Sequence, residues 1–281
     1  METKSISKLA IALAECQVPA GSLAIGWLGQ AGFVLKAPGG TLLAIDPYLS
    51  NSCEALGVEA GFDMKRLVPV QLAPEELLPF HAIAFTHSHQ DHVDPETVQP
   101  YLGAGGRGPF IAPHDASDRL ISLGATAEQI RLTWPNHVEV VGEFTIKATF
   151  AIPFDGGDLT HVGYLVEVRG GPRVYFTGDT DYNEILPLSI APQRPEIMAT
   201  VINGTFRNLT PRDGALLAKA IGPRWVIPCH HDLFGASNVS DRVLRTNLTL
   251  QGIGESFCPL VHGELRLFSR ADHADRPPLG P

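Results

Sequence analysis

The seven residues Thr86-His87-Ser88-His89-Gln90-Asp91-His92 hold three imidazoles and a carboxylate, directly after the apolar stretch His81-Ala82-Ile83-Ala84-Phe85. An apolar run bounded in this way reads as a buried strand that opens at its carboxyl end into a loop. Helix-favouring residues resume only beyond Asp94-Pro95. In an extended segment side chains alternate, so His87 and His89 reach one ion, while Asp91 and His92, after the chain turns, reach a second. Two adjacent sites on one short loop imply a bridged pair of ions. A lone histidine on a surface loop is usually just solvated, but four ligand-type residues at this spacing form a metal signature.

Two later strand ends offer more ligands. Arg173–Thr177 reads as a strand that delivers Gly178-Asp179-Thr180, where glycine lets the backbone turn closely and the Asp179 carboxylate can bridge two cations. In isolation Gly-Asp would be an ordinary turn; its place after the histidine loop raises it above that. At Trp225-Val226-Ile227-Pro228 a buried strand again ends in ligand-type residues, Cys229-His230-His231-Asp232, and alternation lets only one of the adjacent histidines point into a site.

Composition narrows the classes of partner. With 21 basic against 30 acidic residues the net charge is −9, which weighs against general affinity for nucleic acid or anionic membrane, because counterion release needs clustered Lys and Arg. No run is long enough to span a bilayer. Near the amino terminus, Leu9-Ala10-Ile11-Ala12-Leu13-Ala14 is too short for a signal peptide and runs straight into Glu15, so Ser5 to Cys16 is expected as an amphipathic helix lying on the body. Cys16, Cys53, Cys229 and Cys258 show no paired spacing, which fits reduced thiols in cytosol.

Strands are expected at Ser22–Trp27, Phe33–Lys36, Thr41–Ile45, Phe110–Ala112, Val138–Val141, Phe144–Phe150, Gly163–Val168, Arg173–Thr177, Glu196–Ile202, Trp225–Pro228 and Glu264–Phe268. Helices are expected near Glu96–Leu102, His114–Leu123, Pro211–Ile221 and Val239–Leu250. Two strand sets with interspersed helices suit two sheets face to face with helices outside. At 281 residues such a chain fits one domain. The expected division is an N-terminal helix in residues 1–18, a catalytic body in 19–270 and a disordered Asp- and Pro-rich tail in 271–281.

The pattern H-x-H-x-D-H is that of the metallo-β-lactamase fold. Further segments, Gly26-Trp27-Leu28-Gly29-Gln30-Ala31-Gly32-Phe33, Ile45-Asp46-Pro47, Phe176-Thr177-Gly178-Asp179-Thr180 and Ile227-Pro228-Cys229-His230-His231-Asp232, resemble the ascorbate-6-phosphate lactonase branch, in order from roughly Pro19 to Phe268. The resemblance implies an α+β fold, a four-layer αββα sandwich. It assigns the site histidine to His230 and leaves His231 facing outward, with Asp232 a candidate to orient a ligand or transfer a proton. It also implies that Asp46 supports the metal loop through hydrogen bonds without ligating. The remaining ligand of the first metal should follow Phe144–Phe150, where the candidates are Asp155, Asp158 and His161. The segment Ala151-Ile152-Pro153-Phe154-Asp155 resembles the branch, in which an aspartate stands here, so Asp155 leads and His161 is second.

The expected ligand set is therefore His87, His89, Asp91, His92, Asp155, Asp179 and His230. Imidazole suits zinc and the extra oxygens move the preference toward manganese or iron, so the expected cofactor is two divalent ions, Mn2+ or Zn2+, with Fe2+ a further candidate. Coordination would lower the pKa of water enough for a bridging hydroxide, with Asp91 holding it in line and passing its proton to the leaving oxygen. Arg207, in Asn203-Gly204-Thr205-Phe206-Arg207-Asn208-Leu209-Thr210, resembles an arginine of the branch and could bind a phosphate or carboxylate bidentately; a solvated loop arginine is the equal alternative. The expectation is a cytoplasmic metal-dependent hydrolase acting on a small anionic lactone or ester, homo-oligomeric by resemblance to the branch. Phosphodiester cleavage is its rival, and a di-iron redox protein stands behind both. The chain is shorter than the branch between Asp155 and Gly163-Tyr164-Leu165, where loops shape the pocket.

Overall fold

The computed structural model describes residues 6–153, 158–237, 239–270 and 279. Helix α1 (Lys8–Glu15) starts at Ser7, whose hydroxyl accepts from the Ala10 amide, and it buries Leu9 and Leu13. Strands β1 (Ser22–Gly29), β2 (Gly32–Lys36) and β3 (Leu42–Ile45) make an antiparallel meander. The sheet continues in parallel through β4 (Ala82–Ala84), β5 (Phe110–Ala112) and β6 (Ile130–Leu132). Helices α2 (Cys53–Ala60), α3 (Pro95–Gly103) and α4 (His114–Ser122) lie in the connections.

The second sheet opens with antiparallel β7 (Val138–Val141), β8 (Phe144–Phe150), β9 (Val162–Val168) and β10 (Arg173–Phe176). Past α5 (Ile185–Ile190) it turns parallel, with β11 (Ile197–Val201), α6 (Pro211–Ile221) and β12 (Trp225–Cys229). After α7 (Asp241–Leu250), strand β13 (Leu265–Ser269) crosses back to pair antiparallel with β1. The sheet orders are β13-β1-β2-β3-β4-β5-β6 and β12-β11-β10-β9-β8-β7.

Two apolar layers hold these sheets. Side chains such as Ile25, Phe33, Leu35, Ile146, Tyr164 and Phe176 fill the space between the sheets, and the same cluster continues over the far face of the second sheet to Leu186, Leu217 and Leu244 of α5, α6 and α7. The outer face of the first sheet (Val34, Ala44, Ile83) packs under Leu9, Val98 and Leu120 of α1, α3 and α4. Period-two alternation splits the inner strands β1 to β5 between these layers, so both faces of the sheet's centre are covered, while the edge strands β6 and β13 are partly exposed. The αββα sandwich read from the sequence is the architecture found.

Three elements were missed. Helix α2 is short and carries Gly57 with weak apolar periodicity, so it reads as part of a loop; α5 holds Pro187; β6 has two exposed residues of three. Such elements have little local signal and form because their neighbours bury them. Among the described residues no helix is long and apolar enough to cross a membrane. The 271–281 tail lies outside the described residues apart from Leu279.

Candidate metal centre

The strand ends decide what meets. Parallel strands β4, β10, β11 and β12 all run toward one edge of the sandwich, and the loops beyond their carboxyl ends converge there, the usual place for a site in parallel sheets. The loop after β4 carries His87 to His92, the turn after β10 carries Asp179, β12 is followed by His230, and His161 stands just before β9. Gly178, at φ +61°, lets Asp179 turn inward; a Cβ there would stand 2.6 Å from the Val162 carbonyl oxygen. His230 itself has φ 57°, an uncommon left-handed conformation for a non-glycine residue.

Three overlapping groups of ligand atoms lie within 4.8 Å of one another: His87, His89 and His161; His87, His92 and Asp179; Asp91, His92 and His230. His230 Nε2 is 3.2 Å from Asp91 Oδ2 and 3.3 Å from Asp179 Oδ2, and His92 Nε2 is 3.6 Å from Asp179 Oδ1. All but His89 and Asp91 are buried, and those two are half-buried.

Hydrogen bonds on the outer side of the imidazoles set their direction. Asp46, buried and beyond β3, accepts from the Thr86 amide (2.8 Å) and hydroxyl (2.6 Å), and its Oδ2 lies 2.9 Å from His92 Nδ1. The Thr86 hydroxyl, its proton committed to Asp46, can accept from His87 Nδ1 at 3.0 Å. His161 Nδ1 lies 3.2 Å from the Asp179 carbonyl oxygen; a carbonyl only accepts, so Nδ1 carries the proton. Each arrangement leaves Nε2 aimed inward, and among the described residues His87 Nε2, His92 Nε2, His161 Nε2 and Asp179 Oδ1 are buried with no hydrogen-bond partner. Burying such atoms without a partner is costly. Divalent cations satisfy all four, and the nitrogen and carboxylate donors are the ligands such ions take. The residues present therefore fit the metal.

Charge balance points the same way. Burial opposes charging His92, but Asp91, Asp46 and Asp179 outweigh it and raise its pKa to about 9. Burial likewise opposes charging His230, whereas Asp179 and Asp91 raise it to about 10. Burial works against ionising Asp91 and Asp179, yet His92 and His230 hold both well below the ordinary carboxylate value. His87, buried and surrounded by other imidazoles, is pushed well below the usual histidine value. Without metal, carboxylates and protonated histidines neutralise one another here.

Of the residues expected from sequence, His87, His89, Asp91, His92, Asp179 and His230 meet in this centre. Asp155 lies outside the described residues; among the described residues His161, the second candidate, groups with His87 and His89. Asp158 accepts from the Ser88 amide at 2.7 Å and braces the histidine loop. Two expected catalytic residues are placed elsewhere. Asp232, at φ 56°, has its carboxylate 2.9 Å from His231 Nδ1 on the outer side, where the His231 ring sits 4.8 Å from Trp27. Arg207 pairs with Asp181 at 2.6 Å with its side chain 65% exposed. Neither lines the cavity over the centre.

That cavity, of about 550 Å3, has residues on its wall that the sequence reading passed over. Gln30 Nε2 donates to Asp91 Oδ2 at 2.9 Å, and Asn208 Nδ2 donates to Asp179 Oδ2 at 2.6 Å. Arg119 reaches the wall from α4, held by Nε to the Val93 carbonyl (3.0 Å) and Nη2 to Gln90 Oε1 (3.2 Å). Gln30 stands in the Gly29-Gln30-Ala31-Gly32 turn and Asn208 follows Arg207 in the loop 203–210, so both segments were visible; nothing local marks Arg119.

The family model of the β-lactamase superfamily domain matches residues 43–231. A metal-dependent hydrolase of Anaeromyxobacter sp. (strain K) is 29% identical over 244 residues, covering 81% of each chain. A probable L-ascorbate-6-phosphate lactonase of Escherichia fergusonii is 26% identical over 271 residues, covering 82% of this chain and 75% of the relative. Among solved structures, a metallo hydrolase of Ignicoccus hospitalis superposes with a TM-score of 0.69 at 18% identity, over 89% of this chain and 100% of its own, and so shares the fold. With the family matched across both sheets and the histidine and aspartate cluster in place, the chain belongs to the β-lactamase superfamily as one of its metal-dependent hydrolases.

Proposed function

We propose that the chain holds two divalent cations, Mn2+ or Zn2+, and hydrolyses a small ester or lactone bearing an anionic group. The observation that carries this reading is the set of overlapping ligand groups with inward, unpartnered Nε2 and Oδ1 atoms at the floor of an open cavity. His87, His89 and His161 would hold one ion and Asp91, His92 and His230 the other, with Asp179 between them. With His161 in the set the donors are richer in nitrogen, which favours zinc. When bound, the cations supply Lewis acidity and lower the pKa of water from about 15.7 toward 7.

The chain's own residues then orient the reaction. Gln30 fixes one oxygen of Asp91 and Asn208 fixes one of Asp179, so both carboxylates meet the substrate in set positions. Asp91 is the group that takes up the proton of the attacking water and passes it to the leaving oxygen. Arg119 replaces Arg207 as the anchor of the anionic group, because its guanidinium is on the cavity wall while that of Arg207 is spent on Asp181. The lactonase similarity of the relatives supports a lactone among the substrates.

Metal analysis of protein purified without added metal, followed by a panel of anionic lactones and esters, neutral analogues and phosphodiesters, tests this. Expected are close to two ions per chain and turnover of the anionic esters or lactones. Arg119→Ala should lose about tenfold or more in kcat/KM on them and little on neutral analogues. Turnover of phosphodiesters alone would overturn the substrate class, and equal losses on charged and neutral substrates would remove Arg119 as anchor.

A further inference from the structure

Beside the metal cavity lies a second space of about 240 Å3, lined by Phe62, Met64, Thr205, Phe206, Phe234 and Ala236. Met64, Thr205, Phe206 and Phe234 also line the cavity over the metal ligands, so the two spaces are continuous. Among the described residues no charged side chain lines the annex, and Thr205 is the one polar residue in its lining. Its floor is firm. Phe234 is 2% exposed and packs edge-on against Tyr48 at 5.8 Å. The segments on either side are tied by the Leu67 amide to the Leu233 carbonyl (2.8 Å) and the Ala236 amide to the Asp63 carbonyl (2.9 Å).

Its mouth is made of two exposed aromatic rings. Phe62 and Phe206 are 50% and 61% exposed and meet edge to face at 6.0 Å. Phe206 and Arg207 both hold positive φ, 51° and 57°, conformations that cost energy in non-glycine residues and concentrate at binding sites. The ion pair of Arg207 with Asp181 clamps this turn. Arg207 thus acts on the site indirectly, by holding Phe206 over the annex.

The geometry points to the annex as the subsite for a hydrocarbon arm of the substrate, linear or aromatic, whose hydrolysed bond lies over the metal ligands. The substrate class is then an amphiphilic ester or lactone, with its anionic group toward Arg119 and its apolar arm between Phe62 and Phe206. This rests on the hydrolase reading above, and the arm is bound by area removed from water.

The test uses metal-loaded protein and two parallel series. The first is the binding of acetate, butanoate, hexanoate and octanoate by calorimetry; the second is turnover of the 4-carboxyphenyl esters of the same acids, whose leaving group carries the anion. Affinity is expected to rise at least about tenfold from acetate to hexanoate, and kcat/KM to rise with it. Ala236→Trp, which fills the annex from a residue that does not line the metal cavity, should bring hexanoate down to the acetate level and leave acetate unchanged. Phe62→Ala, an exposed position that endangers no core packing, should flatten the series by removing one wall. A flat carboxylate series, or a slope that both variants leave intact, overturns the annex even if the acetyl ester is turned over. A steep carboxylate series with no ester hydrolysed at any length keeps the annex and overturns ester hydrolysis.

Discussion

Asp46 shows how much of this site rests on a residue that need not touch the metal. Its carboxylate takes the Thr86 amide and hydroxyl and His92 Nδ1, and so directs two imidazoles at once. Asp46→Asn, which tolerates the same φ of 43°, should weaken metal binding about 10- to 100-fold in a chelator competition while the circular dichroism stays that of the folded chain; unchanged affinity would remove Asp46 from the support. His161→Ala should lose about one equivalent of metal by elemental analysis, and retention of two would return the position to Asp155. Proton release gives an independent check. With pKa values raised to about 9 and about 10, His92 and His230 are protonated at pH 7 in the metal-free chain, and ligation requires both neutral. Metal uptake at pH 7 should therefore release protons, seen as a dependence of the calorimetric heat on buffer ionisation, and affinity should rise as pH rises toward 9. Heat independent of buffer would contradict the charge balance described.

At the scale of elements, the histidine loop is held at both ends. Strand β4 fixes its start, and Asp94 fixes its exit: it caps α3 by accepting from the Glu96 amide (3.1 Å), and also accepts from Ser52 Oγ (2.7 Å) and Thr97 Oγ1. Asp94 therefore ties the metal loop to the start of α2, the helix that carries Cys53 and Leu56 to the cavity wall. Asp94→Ala loses a cap and strands buried donors, so a loss of about 2–4 kcal/mol is expected from denaturant unfolding; a change below about 0.5 kcal/mol would show that the other contacts carry the junction. Elements with their own chemistry were legible. Thr210 before Pro211 marks the start of α6, and in the structure it forms a capping box with Asp213. Ser7 caps α1, and the glycines of the first meander mark its turns. Where a segment lacked such marks, as in α2 and β6, neighbours decided its conformation.

For the whole molecule, the centre joins the sheets: His87 to His92 hang from the first, while His161, Asp179 and His230 hang from the second. Ions bound there would act as a clasp between the two sheets. Chelation should lower the thermal midpoint, by the equivalent of about 2.7 kcal/mol per site at a hundredfold excess of metal over Kd; a midpoint unmoved by chelator would mean the clasp adds nothing to folding. A second pH effect belongs to a histidine outside the candidate ligand set. Burial, with His231 close by, lowers His262 to about 4 while its ring stacks on Trp27 at 3.9 Å. The unfolded chain takes up this proton more readily, so the stability from neutral His262 is complete above about pH 6.5 and is lost as pH falls toward 4. His262→Gln should show a smaller loss of stability between pH 6.5 and 4 than the parent; equal losses would place the acid sensitivity elsewhere. By itself the sequence determined the layered fold and most of the residues that gather at the candidate centre, because buried strands announce themselves by apolar runs and ligand-type residues cluster at strand ends. Only the tertiary structure decided that His161 stands beside His87 and His89, that Arg207 and Asp232 lie off the cavity wall, and that Gln30, Asn208 and Arg119 face the cavity. The physical reason is direction: a side chain's target depends on backbone angles such as the left-handed turns at Phe206, His230 and Asp232, and on partners such as Asp181 that are near in space and unmarked in the chain.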